Sequence, residues 1–171
     1  MPQQSAQKEK DILKLLPASA KPPKLTARRI GIHISTAGGV ANAAERAYRM
    51  GCNTLQIFSS SPRQWKPYDL PADQRDESIR LRKKHDLYPL VIHANYLVNL
   101  AGGNPEFHAK SIAAFRSEIE RALALRAEFL VLNPGSFRGG SREEGLQRVA
   151  LGIERAADGL DLQAGNLRIL I

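Results

Sequence analysis

The sequence predicts a parallel α/β fold: an incomplete (β/α)8 barrel of about five strands and four helices, preceded by a basic leader. Three observations carry this expectation. From residue 28 onward, short apolar runs alternate with amphipathic helical stretches. The runs are too uniformly apolar for a sheet with one wet face, so the strands are expected to be covered on both sides. Each of the first four also delivers a polar or ionisable group at or just past its C-terminal end: His33, the Ser59–Trp65 loop, His93 and Asn133. A barrel gathers its active site at that end. An open doubly wound sheet would rather show G-x-G-x-x-G spacing after its first strand, and Thr36-Ala-Gly-Gly39 lacks it.

Taken in order, Ile30–Ile34 reads as the first strand, and the Gly38-Gly39 turn leads into a helix over about 39–50. Asn53–Phe58 is the second strand, running into the polar loop Ser59–Trp65. Asp73–Asp86 reads as a helix with a charged face, and Pro89–His93 as the third strand. The next helix has a clear start: Asn104 caps it, Pro105 suits its first turn, and Glu106 complements its dipole. Ile112, Phe115, Ile119 and Ala122/Leu123 then recur on one face. Phe129–Leu132 is the fourth strand. Ser141-x-x-Glu144 forms a capping box, with Leu146, Val149, Ile153 and Ala157 as the expected buried stripe and Gly159 as the stop. Leu167–Ile171 is the fifth strand.

Composition narrows the classes. Of the 171 residues, 43% are hydrophobic, which suits a globular protein, and no apolar run reaches the ~18 residues a membrane span requires. A single cysteine, Cys52, excludes an internal disulfide and a finger-type zinc site, and is expected to act as a small buried hydrophobe. The net charge is +8, yet residues 1–29 hold seven bases (Lys8, Lys10, Lys14, Lys21, Lys24, Arg28, Arg29) against two acids (Glu9, Asp11). The excess therefore belongs mainly to a leader, residues 1–28, expected to be disordered. Its apolar stretch is too short and too interrupted for a secretory signal, and prolines 17, 22 and 23 mark 17–27 as a linker.

Among the residues able to do chemistry, His33 is expected to be a hydrogen-bonded core residue. His93 stands evenly between that role and a metal ligand, since imidazoles from distant strands converge at a barrel mouth. His85 and His108 fall in helical patterns and are expected to face solvent. Arg63, Gln64 and Trp65, with Tyr96, place guanidinium, amide and aromatic groups on loops after strands two and three. Such groups can grip a phosphate backbone and fill a void in a base stack, or simply pack a loop and pair on the surface. Asn133-Pro-Gly-Ser136 reads locally as a βα turn.

These motifs, in order, resemble the endonuclease IV family of apurinic/apyrimidinic endonucleases. Ile30-Gly-Ile-His-Ile-Ser-Thr-Ala-Gly-Gly39 resembles the family's opening, Phe58 to Arg63-Gln64-Trp65 its DNA-penetrating loop, His93-x-x-Tyr96-Leu97-x-Asn99-Leu100 its H-x-x-Y-L-x-N-L segment, and Pro134-Gly135-Ser136 its H-P-G-S-H segment. The resemblance covers residues 29–171. It implies a xylose isomerase-like TIM barrel with three zinc ions at the strand C-termini. The implied activity is cleavage of the phosphodiester 5′ to abasic sites in double-stranded DNA, a base-excision repair step of the bacterial cytoplasm and nucleoid. Carried over, His93 matches a zinc ligand, Arg63 and Tyr96 match residues that insert at the damaged nucleotide, and Gln64 and Trp65 match their loop neighbours.

Two departures shape the expectation. Asn133 stands where the family motif has a zinc-ligating histidine, and an amide oxygen is a poor substitute for imidazole. Phe137 replaces the motif's second histidine. A full barrel takes ~250 residues, so residues 29–171 are expected to form its N-terminal part, with an open edge at Leu167–Ile171. No catalytic residue is assigned, nicking by this chain alone is not expected, and a second polypeptide could complete the barrel. Two other readings stay open: a sugar isomerase or epimerase of the related xylose isomerase-like barrels, and a non-catalytic binder of damaged DNA.

Overall fold

The computed structural model describes residues 28–66 and 69–171. The leader and linker expected over residues 1–28 lie almost wholly outside the described residues. The elements run α1 (Val40–Arg49), β1 (Leu55–Phe58), α2 (Ala72–Lys84), β2 (Leu90–His93), α3 (Pro105–Ala124), β3 (Phe129–Val131), α4 (Arg142–Ala157) and β4 (Arg168–Leu170). All four strands are parallel and lie in sequence order, β1-β2-β3-β4. Successive β-α-β crossovers in unbroken order are what a closing barrel uses, so the expected partial barrel is present.

The first expected strand differs. Ile30–Ile34 is extended beside β1 and makes one parallel bridge, His33 to Gln56. Its backbone still engages β1: Gln56 N donates to Ile32 O at 3.1 Å and Ile34 N to Gln56 O at 2.8 Å. With a single isolated bridge the segment does not build a ladder of its own, unlike β1 to β4.

Burial alternates along β1 and β2. Leu55, Ile57, Leu90 and Ile92 are buried, and Leu130 of β3 continues that layer. Phe115, Ile119 and Ala122 of α3, all fully buried, belong to the same core. Ala43, Ala44 and Ala47 give α1 a smooth buried face, and α1 packs against α2 and β1. The other sheet face carries Gln56, Phe58, Val91, His93, Phe129 and Val131, only half-buried. The expectation of strands covered on both faces therefore holds on the helix side only.

Local helix signals are realised. Asn104 Oδ1 accepts from Phe107 N at 3.0 Å. Ser141 Oγ accepts from Glu144 N at 3.2 Å while Glu144 Oε2 accepts from Ser141 N at 2.8 Å, completing the capping box. That backbone bond holds the Glu144 carboxyl below its ordinary pKa. Gly159 lies just past the end of α4 with φ +71°, a stop that glycine accommodates without strain. The expected α4 stripe is corrected at Leu146, which is 61% exposed; Val149 is buried, Ile153 and Ala157 pack half-buried against the core, and Gly145, Gly152 and Ala156 are buried beside them. Gly152 sits against the Leu100 side chain, where even a methyl group would crowd it, so the helix turns its smallest residues inward. Cys52 is half-buried rather than buried.

Candidate nucleic-acid interface

The strand C-termini bring four rings together. Phe58, the last residue of β1, lies 4.4 Å from the His33 ring centroid, 5.3 Å from His93 and 5.1 Å from Tyr96, and His93 lies 5.4 Å from Tyr96. The register explains this: Phe58 pairs with His93, which pairs with Val131. Tyr96 lies three residues past the end of β2, where a turn begins, and stands 54% exposed at the rim.

The Ser59–Trp65 loop is tied to the loop after β2. Asn95, itself buried, donates from Nδ2 to Ser61 O at 3.1 Å and to Gln64 O at 2.6 Å, and its Oδ1 accepts from Leu97 N at 2.7 Å. Tyr96 N donates to Pro62 O at 3.0 Å. These bonds fix the backbone on both sides of Arg63 and leave Arg63, Gln64 and Trp65 exposed. The loop residues and Tyr96 therefore share one rim, as the sequence suggested. A cleft of about 760 Å³ opens beside them, lined by His33, Ser35, Gly39, Phe58, Ser60 and Gln74.

Asn133 lies two residues beyond β3, exposed, at the same strand ends. The turn behind it is clasped by Asn99: Nδ2 donates to Ser136 O at 3.2 Å and Oδ1 accepts from Ser136 N at 3.0 Å. Gly135 has φ +95°, and a Cβ there would strike Asn99 Oδ1 at 2.1 Å, so this contact requires glycine. Asn95 and Asn99 hold the two loops in place. In the sequence they stand out only as polar residues following His93, and their carbonyl and amide partners, more than thirty positions away, leave no local signal.

The histidines divide. His33 is hydrogen-bonded as expected, with Gln56 Nε2 donating to Nδ1 at 2.8 Å, but it is exposed rather than core. Partial burial, and then neighbouring His93, hold its imidazole below the ordinary pKa. His85 and His108 are not solvent-facing. His85 stacks on Tyr48 with ring centroids 3.7 Å apart, and His108 Nε2 donates to Arg148 O at 3.3 Å.

The zinc implied by the family resemblance can be tested against these donors. His93 Nδ1 faces Ala94 O at 2.8 Å, and since a carbonyl only accepts, Nδ1 carries the proton. Nε2 then presents its lone pair, the tautomer a metal-ligating imidazole uses. Asn133 offers an amide oxygen, and His33 Nδ1 is already engaged. Among the described residues, no three His, Cys, Asp or Glu side chains gather as a ligand group. A zinc site needs at least three protein donors, so the described residues do not fit a zinc cluster: His93 fits as one ligand and no set completes it.

A parallel sheet in unbroken order, with helices behind and polar groups gathered at the strand C-termini, defines the barrel class of α/β proteins. The chain belongs to the xylose isomerase-like TIM barrel family, whose sequence profile matches residues 44–171. It is similar to a protein of Solibacter usitatus named probable endonuclease 4, with 48% identity over 132 residues, 77% of this chain and 46% of that protein. A probable endonuclease 4 of Halothermothrix orenii is 37% identical over 71% of this chain and 44% of its own length. The solved structure of endonuclease IV from Thermus thermophilus superposes with a TM-score of 0.67 at 34% identity, covering 83% of this chain and 51% of that one. A D-tagatose 3-epimerase-like protein shares the fold at 16% identity and a TM-score of 0.57. The chain thus spans about half the length of the relatives it matches. No helix among the described residues is long and apolar enough to cross a membrane.

Proposed function

We propose that this chain forms the DNA-engaging N-terminal part of an endonuclease IV-type DNA repair protein and recognises duplex DNA at abasic sites. The observation that carries the reading is the shared rim, where Asn95 and Tyr96 N hold the Ser59–Trp65 loop against the segment after β2 and Arg63, Gln64, Trp65 and Tyr96 all stand exposed. Arg63 supplies a forked donor for phosphate oxygens. Tyr96 and Trp65 supply flat faces that stack in the gap where a base is missing, and stacking of this kind is worth about 1–3 kcal/mol per base. Gln64 adds an amide for base edges or sugar. An abasic site lowers the cost of entering the duplex, because a nucleotide without a base has no stacking to lose.

Phosphodiester cleavage 5′ to the abasic site belongs to the whole barrel in this reading. His93 would be one of its zinc donors and Asn133 a weak one, with the remaining donors and the strand beside β4 coming from further polypeptide, in the same chain or a second one. Nicking by the 171 residues alone is therefore not expected. Fluorescence anisotropy tests the reading with a labelled duplex bearing one tetrahydrofuran abasic analogue and with its intact counterpart. Tighter binding of the abasic duplex is expected, and equal affinity for both overturns the reading. In the same samples, zinc-dependent nicking that a chelator abolishes would overturn the statement about the metal donors.

A further inference from the structure

The C-terminal part of α3 holds a buried polar cluster that lies beneath the rim loop and away from the metal donors. Glu118 is 2% exposed, and Ser59 and Arg121 are also buried. Ser59 Oγ donates to Glu118 Oε2, and Ser60 Oγ donates to Glu118 Oε1 at 2.9 Å. Arg121 closes the ring from the other side, with Nε donating to Ser59 Oγ at 2.9 Å and a terminal nitrogen donating to Ser60 Oγ at 3.3 Å. Glu118 and Arg121 also pair directly at 3.1 Å, one helical turn apart. Both hydroxyls are thus clasped between a carboxylate and a guanidinium, each donating to one and accepting from the other.

From this arrangement we infer that Glu118 and Arg121 are positioning residues for the DNA-contacting loop, acting through Ser59 and Ser60. A buried ion pair contributes little net stability, because desolvation offsets its attraction, while an apolar pair of similar volume often does as well. What this pair supplies is a fixed arrangement of the two hydroxyls it clasps. Here its side-chain hydrogen bonds run to two adjacent serines, the residues that lead from β1 into Arg63-Gln64-Trp65. Downstream, the same loop is held by Asn95 and Tyr96 N. The loop is therefore fixed at its root by α3 and at its tip by the segment after β2, and two fixed ends give it one direction of projection. An ordered loop meets DNA without the ordering cost a free one would incur on binding.

The inference rests on the abasic-DNA reading for its consequence, though not for its geometry, and Trp65 separates the two. It is the only tryptophan in the chain, so its fluorescence reports the loop directly. The full chain is compared with Ser60→Ala, Ser60→Thr and Glu118→Gln by acrylamide quenching of Trp65 and by anisotropy with abasic and intact duplexes. Folding is checked by circular dichroism. Ser60→Ala and Glu118→Gln are expected to move Trp65 quenching toward that of free tryptophan. They should also lower the preference for abasic over intact duplex about tenfold, in keeping with the loss of a hydrogen bond to a charged group. Ser60→Thr keeps the hydroxyl and retains the wild-type values. Wild-type quenching and preference in folded Ser60→Ala would overturn the inference, and that variant decides alone if Glu118→Gln does not fold. If the wild type shows no preference for abasic DNA, the functional reading fails, and Trp65 quenching still decides whether the cluster positions the loop.

Discussion

Replacing Asn95 with alanine removes the clamp on the tip of the rim loop, and its cost can be worked from three bonds. Nδ2 donates to Ser61 O and Gln64 O, and Oδ1 accepts from Leu97 N. At about 1 kcal/mol each, the bonds sum to about 3 kcal/mol. Ser61 and Gln64 are exposed, so water can satisfy their carbonyls once Asn95 is gone, lowering the expected loss to about 2–3 kcal/mol. For a domain of this size that corresponds to a melting temperature about 4–12 °C lower. Alternatively, the loop detaches locally before the domain unfolds, and then Trp65 emission shifts to the red at temperatures where the helical signal is intact. Thermal denaturation followed in parallel by circular dichroism and Trp65 fluorescence distinguishes the two. A variant whose melting temperature stays within a degree of wild type, with unchanged Trp65 emission, would refute the assignment of Asn95 as the clamp.

Three further outcomes follow from the same geometry. Gly39 precedes α1 with φ +117°, and an added Cβ would come within 1.9 Å of Gln74 Oε1. Gln74 can swing away but the backbone cannot, so Gly39→Ala is expected to cost about 1–3 kcal/mol in chemical denaturation. The His85 imidazole is held below its ordinary pKa, chiefly by burial. The unfolded chain then takes up the proton first, so stability present above about pH 6.5 is lost as pH falls through the folded value. His85→Gln should lose less stability than wild type over that window, as read by urea midpoints. Asn133→His places an imidazole at the strand end neighbouring His93 and is expected to raise zinc affinity about tenfold or more in a dye-competition titration.

Signals that act within a few residues were legible in the sequence. The Asn104 cap, the Ser141–Glu144 box and the Gly159 stop each need only one helical turn of chain, and each is present. The parallel order followed from alternation, and the strand-end location of His93 and Tyr96 from where the apolar runs stop. Contacts between distant positions were not legible. Glu118 and Arg121 fit the pattern of an ordinary charged helix pair, and only the fold brings them to serines some sixty positions earlier. Leu146 was misplaced because a hydrophobic stripe cannot show that Gly145 and Gly152 face inward, a choice made by Phe137 and Leu100 filling the space. Likewise His85 gave no sign of the Tyr48 ring on the adjoining helix that takes it out of solvent.

The claim that the rim enters the gap at a missing base has a direct optical test. In a duplex with 2-aminopurine opposite a single abasic analogue, titration with the wild-type chain should change the probe's emission as its stacking is disturbed. Tyr96→Ala and Arg63→Ala should bind more weakly and leave most of that change unmade, while losing little affinity for intact duplex. A wild-type complex with unaltered 2-aminopurine emission, or an equal response from Tyr96→Ala and Arg63→Ala, would contradict the account.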